Sequence, residues 1–555
     1  MCNNPKIFKI VFAFFIVSIY PNVAITQQWQ WAKQISCRDY VGGTKATMDS
    51  FGNFFVTGSY SGELMDDTCY IGPFSLIQHG TNTIFLAKYD KNGNVLWAEQ
   101  FNGFNNQPSQ FNSITNVISD GVGGAYITGV FYDTIHFGTI SLVGDYYGDI
   151  FLAKLDANGN CLWAKKGGGQ SHDSGLGLAV DGNKNIYICG YCTDNAMFDT
   201  LSVGPGTFLA KYDSVGGLNW VKIENYSPAH SHQVTFQCMT ISNDTLFING
   251  AGGDSSYTID TITVNNPGKR KIILSCFNLN GGIIWVKEAA TKFGFWGTSM
   301  SHDNEGNIYG AGAFIDSLDF SGTIIKGNPD LDNAFLCKYS GHGTLLWARP
   351  CPSTGSSGCN MIVSDSNGNS YITGWFSGIG YFGSDTILSE TNRDMFLARY
   401  NTSGDIMGVL NFGYAEGMGL CVDQDESAYV VGEFMGTINI GATSLTDYLY
   451  RNDVYVAKCE KITGIGEKKL ATFNRLIIYA NPNDGACSII IPQELQHDQN
   501  LLLYIYNSQG ILVQQDPVSL NRGKVEINIS AEASGLYNAI LTNGKKSYSG
   551  KIIFK

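Results

Sequence analysis

The sequence predicts an all-β protein: a seven-bladed β-propeller closed by an N-terminal strand and followed by a small C-terminal β-sandwich. Three observations predict it. The phrase FLAKYDKNGNVLWA at Phe85 returns as FLAKLDANGNCLWA at Phe151, then in altered form at Phe208, Ile273, Phe335 and Phe396, and truncated at Tyr455. A second phrase keeps step with it (FFVTG, AYITG, IYICG, LFING, IYGAG, SYITG, AYVVG), with copies ending at Gly58, Gly129, Gly190, Gly250, Gly312, Gly374 and Gly432. Charged residues make up only 15% of the 555-residue chain, which carries 66 glycines. That composition suits short strands and tight turns rather than long amphipathic helices.

Each unit of about sixty residues reads as four strands, because runs of Val, Ile, Tyr, Phe and Trp lie between Asn-Gly or Asp-Gly corners. Asn92-Gly93 and Asn158-Gly159 suit the positive φ of such corners. A four-stranded unit cannot bury both faces alone, so copies must stack, and radial stacking into a ring protects the sheet edges. The seventh unit has a third strand at Tyr455 but no fourth, whereas QQWQWAKQI near the N-terminus is a fourth strand without the other three. The two ends are expected to complete one blade. An open solenoid would leave QWQWAK unpartnered. Trp31, Trp97, Trp163, Trp220, Trp285 and Trp347 fill one fourth-strand position as packing residues. Gly408 stands there in the sixth unit, and Phe412 is the expected filler of the gap.

The domain plan is a signal peptide over residues 1–26, the propeller over 27–460, a linker over 461–475 and a sorting domain over 476–555. Lys6 and Lys9 precede an apolar run from Ile10 to Tyr20, the pattern of an export signal too short to span a bilayer comfortably. An integral membrane protein is not expected. Charge also divides the chain. Residues 27–467 hold 24 Lys and Arg against 42 Asp and Glu, a net −18, whereas residues 468–555 hold 9 against 6, a net +3. An acidic body without a basic stripe excludes nucleic acid as a partner.

The FLAKYD and YITG phrases, over about residues 28–460, resemble the SBBP class of bacterial β-propeller repeats. That resemblance implies the fold and no particular activity. The tail resembles the C-terminal sorting domain (Por type) of the type IX secretion system. Tyr479, Asn481, Pro482, Asn483 and Gly485 match its opening Y-P-N-P-x-x-G, with Ala480 in place of proline. Asn507 and Gly510 match its N-x-x-G turn, Gly535 and Tyr537 its G-x-Y strand, and Lys551 and Lys555 its closing K-I-x-x-K. The resemblance implies a Bacteroidota-type protein that passes by signal-peptide export to the periplasm. From there the secretion machinery carries it out, to be released or held at the outer-membrane surface, and usually removes the tail.

Chemistry is harder to find. Turns between strands one and two and between three and four are short and repetitive, so binding is expected on the opposite face. Its variable loops include NGFNNQPSQ, GGGQSHDSG, NYSPAHSHQ, ATKFGFWG and PCPSTGSSG. His172, Asp173, His230 and His232 are the candidates for an acid/base or metal cluster, and Phe295 with Trp296 for a sugar platform. Asp90, Asn92 and Asn94 alternate oxygen ligands in a way that suggests calcium, but glycine takes the fourth position and no bidentate Glu follows. No cofactor is therefore expected. Cys189 and Cys192 form a C-x-x-C on a strand with no second pair, so zinc is not expected either. Most of the fourteen cysteines read as core fillers, and Cys351 with Cys359, flanking a PSTGSSG loop, as the best single disulfide pair. The function read from all this is a noncatalytic, secreted or surface module for adhesion, binding an extracellular glycan or protein. The alternative is a propeller-based polysaccharide hydrolase or lyase. Deleting residues 468–555 is expected to trap the protein inside the cell envelope, as measured by immunoblotting of medium, outer-membrane and periplasmic fractions.

Overall fold

The structure is a computed structural model. It describes residues 29–37, 40–61, 68–78, 82–104, 112–224, 234–252, 257–264, 270–447, 452–462, 474–479, 483–492, 495, 501–507, 511–518, 524–530, 532–543 and 547–555. The signal segment lies outside them, as does most of the linker.

The named elements among these residues are all strands, and from Trp29 to Cys459 they build one antiparallel array after another. In the first array Tyr40–Met48, Phe54–Ser61, Asn82–Tyr89 and Val95–Phe104 pair in chain order. The same order recurs from Ser113, Asp173, Val234 and Ser357. In the array of Ala415–Val422, Ala428–Phe434 and Asp453–Cys459, the fourth place is taken by Trp29–Cys37, with Trp31 opposite Lys458 and Ile35 opposite Val454. The segment ATKFGFWG is not a loop. It lies within one twenty-residue strand, Ile283–His302, which runs from the fourth array into the fifth and pairs with Ile308–Phe320. Register shifts at 291/293, 293/295 and 297/299 let so long a strand bend between two sheets.

The repeated phrase acts mainly between arrays. Each of Trp31, Trp97, Trp163, Trp220, Trp285 and Trp347 lies against a turn glycine of another array: Gly93, Gly159, Gly216, Gly281, Gly343 and Gly404 respectively. Those glycines have φ between +74° and +88°, and a Cβ on any of them would lie 2.8–3.1 Å from the indole. The turn thus needs glycine twice over, for its backbone and for the ring above it. Trp97 Nε1 also donates to Ala157 O (2.9 Å) and Trp347 Nε1 to Thr402 O (3.0 Å), which orients those two rings.

In two copies of the phrase the lysine is interior rather than a solvated strand residue. Lys88 Nζ lies 3.2 Å from Asp49 Oδ2 and 5.0 Å above the Phe55 ring, and Lys338 repeats this with Asp303 (3.2 Å) and Tyr309 (4.9 Å). The ammonium is thus desolvated only where a carboxylate and a ring face replace water. Tyrosine hydroxyls add links between arrays. Tyr309 Oη lies 3.0 Å from Asp303 Oδ2 in its own turn and 2.7 Å from Gly368 O in the next array, and Tyr429 reaches Asp423 and Lys91 O in the same manner.

Gly408 sits opposite Arg399. Phe412 is four residues further along the strand, about 13 Å by strand rise, so it does not fill the place the missing indole leaves. It packs instead on Tyr455 (5.0 Å between centroids) and Trp29 (5.5 Å). At the Gly408 position the buried Arg399 guanidinium reaches Ile462 O (3.2 Å) and pairs with Glu426.

The expected Cys351–Cys359 disulfide is not formed. Both side chains are buried thiols, Cys351 Sγ 3.1 Å from Tyr400 Oη and Cys359 Sγ 3.5 Å from Met361 O. Among the described residues a disulfide joins Cys37 to Cys69. It forms because the strand Thr68–Ile71, part of a hairpin between the second and third strands of the first array, pairs onto Ser36 and Cys37 at the end of the N-terminal strand. Hairpins in the next two arrays extend the preceding sheet likewise, with Ile135 opposite Gly103 and Phe198 opposite Gly167.

The tail is a separate two-sheet unit. A five-stranded sheet orders Asn474–Arg475, Ser547–Phe554, Gly535–Thr542, Leu502–Asn507 and Leu512–Pro517, and a three-stranded one orders Ile477–Tyr479, Ala486–Ile490 and Lys524–Asn528. Its own core includes Ile489, Leu503, Ile505, Ile527, Leu541 and Ile552.

Two glycine substitutions separate the two demands on the turns. Gly52 has φ +80° with open space around it, whereas Gly159 has φ +88° beneath Trp97. Gly52→Ala is expected to cost about 1 kcal/mol from backbone strain alone, and Gly159→Ala a further 1–3 kcal/mol, roughly, from overpacking. Urea denaturation of both variants measures the difference. Peptide mapping without reduction should return Cys37 linked to Cys69, with Cys351 and Cys359 alkylated.

Candidate functional site

The strand ends that face away from the repeated turns bring His172 and Asp173 to the edge of the third array, at the entry to Asp173–Val180. His172 is exposed, its ring edge-on to Tyr132 at 6.2 Å, and its backbone oxygen accepts from Thr193 Oγ1 (2.7 Å). Asp173 is fully buried. Its Oδ1 accepts from Thr193 N (3.0 Å) and its Oδ2 from Gly169 N (2.6 Å). A Cβ at Gly168 would run into both the Asp173 and the Asp149 carboxylates, so the two acids face one point. Burial, reinforced by Asp194 and Asp149, outweighs those two hydrogen bonds and pushes the Asp173 carboxyl up to about 7. Asp149 is likewise pushed up by burial, which Lys166 at 3.0 Å offsets in part.

This looks at first like an acid/base pair, but the repeat supplies a structural role for each acid. Asn112, one array earlier, accepts from Tyr132 N (3.0 Å) through Oδ1, the job Asp173 does for Thr193 N. Asp394, at the place of Asp149 in the sixth array, accepts from Glu390 N (2.9 Å) and Thr391 N (3.2 Å), as Asp149 does from Asp145 N (2.5 Å). Both carboxylates tie loop backbone.

His230 and His232 lie outside the described residues. The backbone of Phe295 and Trp296 is strand, paired with Phe314 and Ala313, and their side chains lie outside the described set. Among the described residues no group of three or more His, Cys, Asp or Glu side chains is placed to hold a metal. The turn carboxylates do not fit calcium. Asp90 Oδ1 takes the backbone N–H groups of Asn92 (2.8 Å) and Asn94 (2.9 Å) while Oδ2 takes Asn94 Nδ2 (2.8 Å), and Asp365 repeats the pattern.

Two features on these arrays escaped the sequence reading. At the same strand ends of the sixth array, the Arg393 guanidinium lies 4.2 Å from the centroid of the half-buried Trp375 ring and 2.8 Å from Glu416, which also accepts from Asn360 Nδ2 (2.8 Å). The available signal was that Trp375 falls outside the fourth-strand tryptophan register. Between the fourth and fifth arrays a small crevice of about 30 Å³, partly open to solvent, is lined by Leu274, Met300, Gly310, Phe335 and Cys337, with Asn249 at one side. It exists because Gly310 replaces the Ile or Val of the other six AYITG-type phrases.

In the tail, the two ends of the expected sorting motif meet. Asn483 N donates to Ile553 O (2.9 Å), Lys555 N donates to Asn483 O (3.0 Å), and Asn483 Oδ1 accepts from Gly485 N (2.9 Å). Asn507 Oδ1 accepts from Ile511 N (3.0 Å), closing its turn. Tyr537 stands opposite Ile552 and donates its hydroxyl to Ala533 O, Gly535 is opposite Phe554, and Lys551 opposite Asn538. Tyr479 pairs by its backbone with Ser488. Asn481, Pro482 and Gly510 lie outside the described residues.

Residues 477–555 match the family of secretion system C-terminal sorting domains. The tail is a type IX secretion sorting domain. This match supports secretion or a cell-surface location. Among the described residues no helix is long and apolar enough to cross a membrane. The chain is 24% identical over 538 residues to an uncharacterised WD repeat-containing protein of Acanthamoeba polyphaga mimivirus, an alignment covering 77% of this chain. The matched part spans 37% of that relative's length. Among solved structures, the Dos1 propeller aligns with 79% of this chain and 98% of its own at 10% identity and TM-score 0.38. Drosophila Semaphorin 2a aligns with 96% and 98% at 8% identity and TM-score 0.37.

Asp173 sets a pH test. A carboxyl raised from the usual range to about 7 leaves folding unaffected at pH values below both the unfolded and folded pKa, and lowers stability as pH rises from about 4 to about 7, where only the unfolded chain is ionised. Asp173→Asn is expected to flatten the decline in that window, on the order of a few kcal/mol in the wild type, as read from urea midpoints at pH 4, 5.5, 7 and 8.

Proposed function

We propose that the arrays form a closed seven-bladed propeller over residues 27–460 that binds an extracellular glycan without catalysis. In this reading a linker over 461–475 joins it to the sorting domain over 476–555, and residues 1–26 are the export signal. Supporting closure, Trp29–Cys37 pairs with Asp453–Cys459, Trp31 rests on Gly93, and Phe54 and Tyr429, from the first and last arrays, lie 5.0 Å apart. The repeats belong in this reading to the SBBP class and the protein to a Bacteroidota-type bacterium.

Trp375 carries the binding assignment. An indole half-open at the variable strand ends offers a flat apolar face to a sugar ring. The guanidinium over it is more than half exposed and already shared with Glu416, so a ligand carboxylate or hydroxyl can draw it aside. A protein ligand remains the alternative within the same binding class.

A polysaccharide hydrolase or lyase is the second reading, favoured by one observation: the Asp173 carboxyl near 7 beside Asp149. The loop-tying roles of both acids weigh against it. Glycan-array binding by residues 27–555 is expected to fall at least tenfold in Trp375→Ala with the thermal midpoint unchanged, and polysaccharide-degradation screens are expected to give no product. Product formation abolished by Asp173→Asn or His230→Ala would reverse the assignment.

A further inference from the structure

The strand Leu502–Asn507 of the sorting domain is apolar on both sides. Leu503 and Ile505 enter the domain's own core, as period-two alternation requires. Tyr504 and Tyr506, on the other face, should then meet water. They do not: Tyr506 is buried, and with Ile540 it packs against Ile379 and Tyr381 of the body, with Tyr504 and Leu512 at the margin. The Tyr381 and Tyr506 rings are stacked, centroids 4.7 Å apart and planes 29° from parallel. Ile379 and Tyr381 belong to the strand Ile379–Phe382, which forms a hairpin with Asp385–Leu388 in the sixth array. Asp385 and Lys551 add opposite charges across the contact. Burial pushes the Asp385 carboxyl up, while Ser384 and the Lys551 ammonium draw it back down.

The contact also contains a flaw. Tyr381 is 3% exposed and its hydroxyl has no hydrogen-bond partner among the described residues. A buried, unpaired hydroxyl opposes the burial that hides it. The contact therefore holds the tail while remaining easier to open than its apolar area suggests.

We propose that the hairpin Ile379–Leu388 is a docking site for the Tyr504–Tyr506 face of the sorting domain, a releasable clasp within one chain that opens when the tail is engaged or removed. The machinery that reads the tail then meets a domain held against its cargo, and opening uncovers an aromatic face on the sixth array.

The test uses residues 27–555 with a protease recognition sequence inserted after Gly464, cleaved after folding. The two fragments are expected to co-elute in size-exclusion chromatography at micromolar concentration. Tyr506→Ala and Tyr381→Ala should each weaken the association about tenfold or more, given that a buried aromatic anchor dominates so small a contact. Tyr381→Phe should tighten it, roughly threefold to tenfold, because it removes only the unpaired hydroxyl. Asp385→Lys should weaken association and Lys551→Asp restore it in the double variant. Circular dichroism of the uncut chains separates loss of the clasp from loss of fold. Wild-type fragments that separate at 10–100 times the starting concentration, a weaker Tyr381→Phe complex, or tails exchanged between two copies would each overturn the proposal.

Discussion

The contact on which the rest of the body depends is an indole lying on a glycine of another array. A sheet of four short strands has two apolar faces and no way to bury both, so what joins one sheet to the next sets whether any of them is stable. Here the fourth-strand tryptophan reaches across and takes the only place a Cβ-less, positive-φ residue leaves open. Apolar burial by the ring and backbone geometry in the turn thus constrain each other. The buried lysine, its ring and its carboxylate strengthen the same junction from inside, since none of the three is tolerable there without the other two.

Departures from this rule are where the molecule becomes individual. Where Gly408 replaces the indole, a charged guanidinium bonded to Ile462 and Glu426 occupies the junction. Where Gly310 replaces an isoleucine, a crevice opens. Where the fourth array runs into the fifth without a turn, a twenty-residue strand bends through three register shifts. Trp375, off the tryptophan register, lies half-open beneath the Arg393 guanidinium, and Tyr506, off the expected polar face, is seated on a neighbour. A side chain the repeat does not employ is available for something else.

How much of this was legible can be argued residue by residue. The sheet units, their turns and the packing role of Trp97 followed from period and from Asn-Gly corners, because strand alternation and turn chemistry are local. The sorting motif was legible because its residues are spaced along one short domain, although only folding brings Asn483 to Lys555. The acid at Asp173 was found, but its role was not, because the comparison that explains it, Asn112 one array away, depends on knowing which strand ends are equivalent. The disulfide was misassigned for a related reason. Cys351 and Cys359 are close in sequence, whereas Cys37 and Cys69 are close only because a hairpin of the first array pairs with the N-terminal strand.

The sequence by itself determined the all-β class, the repeated unit and the secretion address, since each rests on patterns within a few dozen residues. Tertiary structure alone decided which cysteines are joined, that ATKFGFWG is strand, that Asp173 and Asp149 face one point, and that Tyr381 meets Tyr506. Those outcomes hinge on which strand ends and hairpins become neighbours across long stretches of chain, and a side chain's chemistry is set by its neighbours.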